Sequence, residues 1–482
     1  MAVVSVRIDM PRLAMADADK IPDGEGRVLR LRLQADDVNV VFSPPGTLPE
    51  SLERVDGIQP LTVTVSSATL PVEVMASDGR RLLLLESLEE AEDGALRWSF
   101  ELLPGSRCYG LGESTGRLDK RGQLLRMWNS NVYPHLPDTP SLYQSIPLLI
   151  ERAGDGPLHA LYFAQSAPLT IDVAHTDQRQ LRISSSMRML DVVIIDGPDP
   201  DRLFSHLADL LGHPALPPLW ALGHQQSRWG WDSAADVLQV AHTMREKRVP
   251  CDVLYLDIDY MDRCRNWTWD PRRFPDPEGL LGALHQLGFH VVTIVDPALP
   301  IDSEYAPYLE ARSGTGTEEV PWLVHDADGR VHEGLMWPGR SVWPDFLQST
   351  VRHWWAGWHQ GLLAAGVDGI WNDMNEPADI AAPLTTLPLD AVHHDDQGRT
   401  WSHEMVHNSY ANLEVDATHE ALLRGHPTRR PFILSRAASA GIQRHAAVWT
   451  GDNHSWWEQL RMMIPMCLNL GLSGVALNGA DV

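Results

Sequence analysis

Two segments hold residues whose types and spacing suit chemistry. In Gly369-Ile-Trp-Asn-Asp-Met-Asn-Glu-Pro377 a short apolar run ends in Asp373, flanked by Trp371, Asn372, Asn375 and Glu376. In Val448-Trp-Thr-Gly-Asp-Asn453 a second such run ends in Asp452, beside Trp449. Two carboxylates at different strand ends suit cleavage of a glycosidic bond, where one attacks the anomeric carbon and the other protonates the leaving oxygen. An indole gives the C–H surface of a sugar ring a flat apolar face, and nearby amides and carboxylates bind hydroxyls. Taken singly, an Asp at a strand end is more often a helix cap or loop hydrogen-bonder, and a Trp is more often core. Convergence of several such ends is what favours a site.

The elements that must position these groups begin near residue 220. Short apolar runs at 221–226, 252–258, 290–295, 367–373, 431–435, 446–451 and 474–479 alternate with helical patterns at 233–247, 278–287, 351–365 and 455–470. In the first of those helices Val237, Val240, Ala241 and Met244 recur at helical spacing behind Asp232 or Ser233 as a cap. Repeated strand–helix units give a closed (β/α)8 barrel or an open doubly wound sheet. Asp257, Asp296, Asp373, Arg436 and Asp452 each follow a strand. Barrel sites are built from many strand ends and open-sheet sites from one switch point, so the barrel is favoured. Residues 383–403, rich in Asp, His and Thr, read as a loop inserted after the fourth strand.

Ahead of the barrel the pattern is β. Runs at 27–34, 61–67, 81–87, 96–103 and 190–196, separated by Gly, Pro and Asp, predict a β-sandwich, closed by a short helix near 202–211. Of 18 Trp, only Trp98 and Trp128 precede residue 218. The proline-rich His213-Pro-Ala-Leu-Pro-Pro-Leu219 therefore reads as a linker, giving a sandwich over 1–212, a linker over 213–219 and a barrel over 220–482. Seven barrel strands are counted before Asp481-Val482, so the barrel is expected to lack its last strand and helix and any following β-domain.

With 64 acidic and 39 basic residues the formal charge is −25. That opposes a nucleic-acid partner, which needs neutralising cations, and opposes docking on anionic lipid. No basic start followed by an apolar run opens the chain, and no stretch of about 18 apolar residues occurs. Cys108, Cys251, Cys264 and Cys467 are scattered, which suits neither a disulfide scaffold nor structural zinc and makes a reducing cytoplasm the expected setting.

Six blocks taken in order resemble glycoside hydrolase family 31, the α-glucosidase and α-xylosidase family. Trp371-Asn-Asp-Met-Asn-Glu-Pro377 is similar to its nucleophile signature, and Ser435-Arg-Ala-Ala-Ser-Ala-Gly-Ile-Gln-Arg-His-Ala-Ala-Val-Trp-Thr-Gly-Asp-Asn453 to its acid/base segment. Ser227-Arg-Trp-Gly-Trp231, Leu256-Asp-Ile-Asp-Tyr-Met-Asp262, Ile294-Val-Asp-Pro297 and Trp337-Pro-Gly339 match further blocks, and the similarity starts near Cys108-Tyr-Gly-Leu-Gly-Glu113.

The resemblance implies a retaining α-glycosidase without cofactor or metal, foremost an exo-acting α-glucosidase on small α-glucosides. Asp373 would be the nucleophile and Asp452 the general acid and then base, with carboxyls about 5–5.5 Å apart. Asp257 would bind sugar hydroxyls, and Arg436 would favour the ionised nucleophile. Trp229, Trp337, Trp371 and Trp449 would wall the pocket, with Met374 and His454 as further sugar contacts and Glu376 and Asp296 in support. Asn131, in Trp128-Asn-Ser-Asn131, stands where the family usually has Asp; it can bind a hydroxyl but lacks the charge. A family His beyond the seventh strand has no counterpart here. Other activities of the family, α-xylosidase, transglucosylase or sulfoquinovosidase, and an inactive carbohydrate-binding remnant stay open, as does a homo-oligomer.

Overall fold

The computed structural model describes residues 71–76, 79–316 and 320–481, together with the strand backbones Val3–Val4, Val28–Gln34 and Asn39–Val40. The chain divides into two compact units, Met1–Pro214 with Asp452–Val482, and Ala215–Gly451. Each is taken by itself.

In the first unit, a five-stranded antiparallel sheet runs in the order Val28–Gln34, Met189–Gly197, Leu158–Phe163, Leu148–Ala153, Ser106–Gly110. A six-stranded antiparallel sheet runs Val72–Met75, Arg81–Glu90, Leu96–Glu101, Gln180–Ser185, Leu169–Val173, Gln123–Met127. Alternation makes these strands: in Gln180–Ser185 every second side chain is buried, so one face turns to the core. Trp98, Phe100, Ile171 and Ile183 from one sheet meet Leu149, Phe163, Val192 and Ile194 from the other in a single core. Phe100 and Phe163 approach to 6.1 Å between centroids. This is the expected β-sandwich. The strand expected at 61–67 lies outside the described residues. The closing helix is Pro200–Leu211, capped by Asp199, whose carboxylate accepts from the Arg202 N–H, and it buries Leu203, Leu207 and Leu211.

The last residues of the chain pack within this unit. Helix Trp457–Leu472 sets Met462 and Met466 against Leu142 and Tyr143. Asn469 Oδ1 accepts from the Gly110 N–H at 3.0 Å, and Ser473 Oγ accepts from the Gly112 N–H at 2.9 Å. The sequence boundary at 213–219 places 452–482 with the barrel; by compactness they group with the sandwich, because these anchors lie on sandwich residues.

The second unit holds six parallel strands in sequence order: β1 Gln225–Gln226, β2 Val253–Leu256, β3 His290–Val295, β4 Gly369–Asn372, β5 Ile433–Ser435 and β6 Ala447–Trp449. The main helices between them are α1 Ala234–Glu246, α2 Pro277–Gln286, α3 Ser349–Trp358, α4 Gln360–Ala365 and α5 Tyr410–Gly425, with further ones at Ala306–Ser313 and His403–Val406. Of the two candidate caps for α1 it is Ser233 whose hydroxyl accepts the Asp236 N–H. The helix expected over 351–365 is two, broken at His359, a buried ring whose Nδ1 lies 2.9 Å from the Trp355 carbonyl. The strand expected over 221–226 begins in a 3-10 turn, Leu219–Leu222, and only Gln225–Gln226 pair.

The expected loop at 383–403 needs correcting. It folds into a hairpin, Val392–His394 against Thr400–Ser402, whose histidines point inward. Fully buried His393 lies 3.0 Å from Asp345 through Nδ1 and 3.0 Å from His403 through Nε2, and His403 lies 2.9 Å from His407. Burial, then the neighbouring rings of His407 and His393, hold His403 well below the usual histidine range, so it stays neutral. His393 and His403 of this segment thus belong to a buried hydrogen-bonded chain with Asp345 and His407, while Asp390 stays exposed.

Candidate active site

Strand register assembles the site. Val295 pairs with Asn372, Asn372 with Ser435, and Ser435 with Val448. The next residues along, Asp296, Asp373, Arg436 and Trp449, therefore emerge at one level at the C-terminal ends of four adjacent strands. That is the end where parallel barrels build sites. Below them, Tyr255, Trp371 and Trp449 from β2, β4 and β6 form an edge-to-face series at 6.0 and 5.6 Å.

Arg436 is the hub. It is 2% exposed, and its Nε and Nη2 each reach a Glu376 carboxylate oxygen at 2.8 Å, a two-point fork. The same Nε lies 3.2 Å from Asp373 Oδ1, so one guanidinium ties the buried Glu376 to the 8% exposed Asp373. A cation so placed favours the ionised form of an attacking carboxylate. Met374, expected to touch sugar, is 2% exposed and its sulfur accepts from Arg436 Nη2 at 2.9 Å. Its φ of 55° puts a non-glycine residue in the left-handed region, strain of the kind that gathers at functional sites. Asn375 stitches β4 to β5, its Oδ1 accepting from the Ala437 N–H at 2.9 Å and its Nδ2 donating to Ser435 Oγ at 3.0 Å.

Asp296 is buried beside this pair. Burial first, then the charge of Asp373, raises its carboxyl well above the usual range against the lowering pull of Arg436, which makes it a proton holder. Its backbone is gripped by Asn266, which donates to the Asp296 carbonyl at 2.6 Å. Asp257 is half-buried and caps the turn Ile258–Tyr260, accepting from the Ile258 N–H at 2.6 Å, so it does the work of a loop cap as well. Trp229 and Trp337 are paired at 6.4 Å and are 69% and 41% exposed, unlike half-buried Trp371 and buried Trp449.

The remaining expected residues belong to the first unit. Asp452 is half-buried, and the His135 ring hydrogen-bonds its backbone. His454 lies between Tyr133 at 5.2 Å and Trp456 at 4.3 Å, and Asn453 donates to the Asp481 carbonyl at 2.9 Å. Burial and the neighbouring Asp452 push Asp481 up to about 6. Asn131 is half-buried in the segment that also holds Tyr133 and His135, and within the first unit this segment meets Asp452 and His454.

Sequence reasoning passed over Tyr133, His135 and Glu414. The last lies on the buried face of α5 among Tyr, Ala, Leu, Val and Thr, where its residue type alone reads as solvent-facing.

Residues 214–482 match the Glycosyl hydrolases family 31 TIM-barrel domain, and residues 31–172 match the Glycosyl hydrolase 31 N-terminal galactose mutarotase-like domain. The chain is 42% identical over 380 residues to Alpha-glucosidase 2 of Bacillus thermoamyloliquefaciens, covering 78% of this chain and 46% of that protein. It is 34% identical over 392 residues to an Alpha-glucosidase of Saccharolobus solfataricus, covering 77% and 55%. Among solved structures, a Family 31 alpha-glucosidase from Bacteroides thetaiotaomicron superposes with a TM-score of 0.68 at 37% identity, over 79% of this chain and 61% of that one. The ER glucosidase II heterodimeric complex matches at a TM-score of 0.78 and 29% identity, over 87% and 51%. The chain thus spans about half the length of the curated relatives it matches.

Proposed function

This chain belongs to glycoside hydrolase family 31, and from that premise we propose that it is a retaining, exo-acting α-glucosidase. Asp373 attacks the anomeric carbon of a terminal α-glucoside while Asp452 gives its proton to the departing oxygen. A covalent β-linked glucosyl–Asp373 forms and the aglycone leaves. Asp452, now a carboxylate, takes a proton from water, the water oxygen displaces Asp373, and α-glucose is released. The observation that carries the reading is Asp373 at the end of β4, 3.2 Å from a buried Arg436 that also holds Glu376. A carboxylate beside a buried guanidinium is held in one direction, as a nucleophile must be.

In the same proposal Asp257 binds sugar hydroxyls, and Trp371 and Trp449 wall the ring subsite. The exposed pair Trp229 and Trp337 flanks the entrance, and His454 and Asn131 serve as further sugar contacts. Met374 shapes the site through Arg436. A cytoplasmic setting is supported by four unpaired cysteines. Proton NMR of the first sugar released from p-nitrophenyl α-glucoside tests the reading. α-Glucose ahead of mutarotation is expected, and β-glucose or no release contradicts it.

A further inference from the structure

Glu414 is a buried carboxyl that the proposed chemistry leaves unused. It projects from α5 with 0% exposure beneath the end of β4. The side-chain amides of Asn375 and Asn372, which flank Asp373 in sequence, are its polar neighbours, and neither Glu414 oxygen has a close hydrogen bond. No ion pair among the described residues involves it, although Asp373 and Glu376 both act on it as negative neighbours.

The cation count around it is short. In the second unit Arg436 is the one buried Lys or Arg among the described residues, and its Nε and Nη2 are committed to Glu376 and Asp373. The acids facing this cluster are Asp373 and Glu376 after β4, Asp296 after β3, Glu414 on α5 and, one turn before it, the buried phenol of Tyr410. A further anion here would have neither water nor a counter-charge, and holding a proton costs less than that.

We propose that Glu414 is an uncharged carboxylic acid in the working protein and a positioning residue for Asp373, steadying the Asn372 and Asn375 amides while leaving Arg436 shared only by Glu376 and Asp373. As a neutral acid it offers one O–H and one carbonyl, so it can match an amide's donor and acceptor together, which a carboxylate cannot. Burial, the leading cause, holds the Glu414 carboxyl well above the usual range, in line with this placement. The role of Asp373 in this inference rests on the α-glucosidase reading; the protonation of Glu414 does not.

Infrared spectra of the full chain carrying 13C-carboxyl glutamate test the protonation without turnover. A neutral-acid C=O stretch that moves with the glutamate label is expected at pH 7, and is expected to be missing from Glu414→Gln. Its absence from the wild type, or its persistence in Glu414→Gln, overturns the inference. For positioning, Glu414→Leu should lower kcat/KM about tenfold at constant KM, with Glu414→Gln restoring most of it. Leu as active as Glu overturns the positioning role. The infrared result does not depend on hydrolysis, so failure of the α-glucosidase reading and failure of this one are told apart.

Discussion

At the scale of residues, the site is a problem of distributing protons and charge among crowded carboxyls. Asp373 and Glu376 share one guanidinium, and burial raises the Asp296 carboxyl against the pull of that cation and the Glu414 carboxyl against the Asn375 and Asn372 amides. Removing the cation should be severe. Arg436→Met leaves the fully buried Glu376 without its fork, at a cost of about 3–5 kcal/mol in denaturant unfolding. It should also move the acid limb of kcat/KM to higher pH, because Asp373 loses the charge that favours its ionised form; an unmoved limb would separate Arg436 from the nucleophile. Asp452→Ala should divide substrates by leaving group. Turnover of p-nitrophenyl α-glucoside, which needs little acid assistance, should fall far less than that of maltose, and an equal fall would remove Asp452 from the acid role.

At the scale of elements, the strand ends were legible because a polar residue closing an apolar run is visible in a single line of sequence. That rule found Asp257, Asp296, Asp373, Arg436 and Asp452, and register sets Asp296, Asp373 and Arg436 side by side. Elements whose polar residues turn inward were not legible. The hairpin within 383–403 reads as solvent loop because composition cannot say that His393 and His403 bond each other and Asp345. Glu414 was hidden for the same reason, a charged residue type made neutral by its surroundings. The expected strand at 221–226 is shortened to Gln225–Gln226, since its apolar residues fold into a 3-10 turn.

The opposite end of the sheet carries its own pH dependence. Asp368, at the start of β4, accepts from His285 at 2.8 Å and from the Val291 N–H at 3.0 Å, with His290 at 3.2 Å. Burial alone would raise this carboxyl, but those donors outweigh it and hold Asp368 below the usual range. The Asp368 hydrogen bond raises His285 in turn, against its own burial. A lowered Asp stabilises above its unfolded value and is lost as pH falls, whereas a raised His stabilises below its unfolded value and is lost as pH rises. The tie is therefore strongest between about pH 4 and 6.5. Asp368→Asn should cost about 2 kcal/mol within that window and flatten the decline on both sides of it. Parallel pH–stability curves for the two proteins would refute this.

For the whole molecule, family membership is established by the match to the family's barrel domain and the function is a reading of its site. The formal charge of −25 means like charges dominate the surface at neutral pH. Self-repulsion of that size predicts a melting temperature that climbs as NaCl rises from about 0.02 to 0.3 M; a flat or falling response would show that the acids are locally paired. The central claim is that Asp373 forms the covalent bond to glucose, and mechanism-based trapping tests it most directly. Protein incubated with 5-fluoro-α-glucosyl fluoride and digested with a protease should yield one modified peptide, heavier by one fluoroglucosyl group, with fragmentation placing that group on Asp373. A label on any other residue, or an unlabelled protein that still hydrolyses α-glucosides, would contradict it.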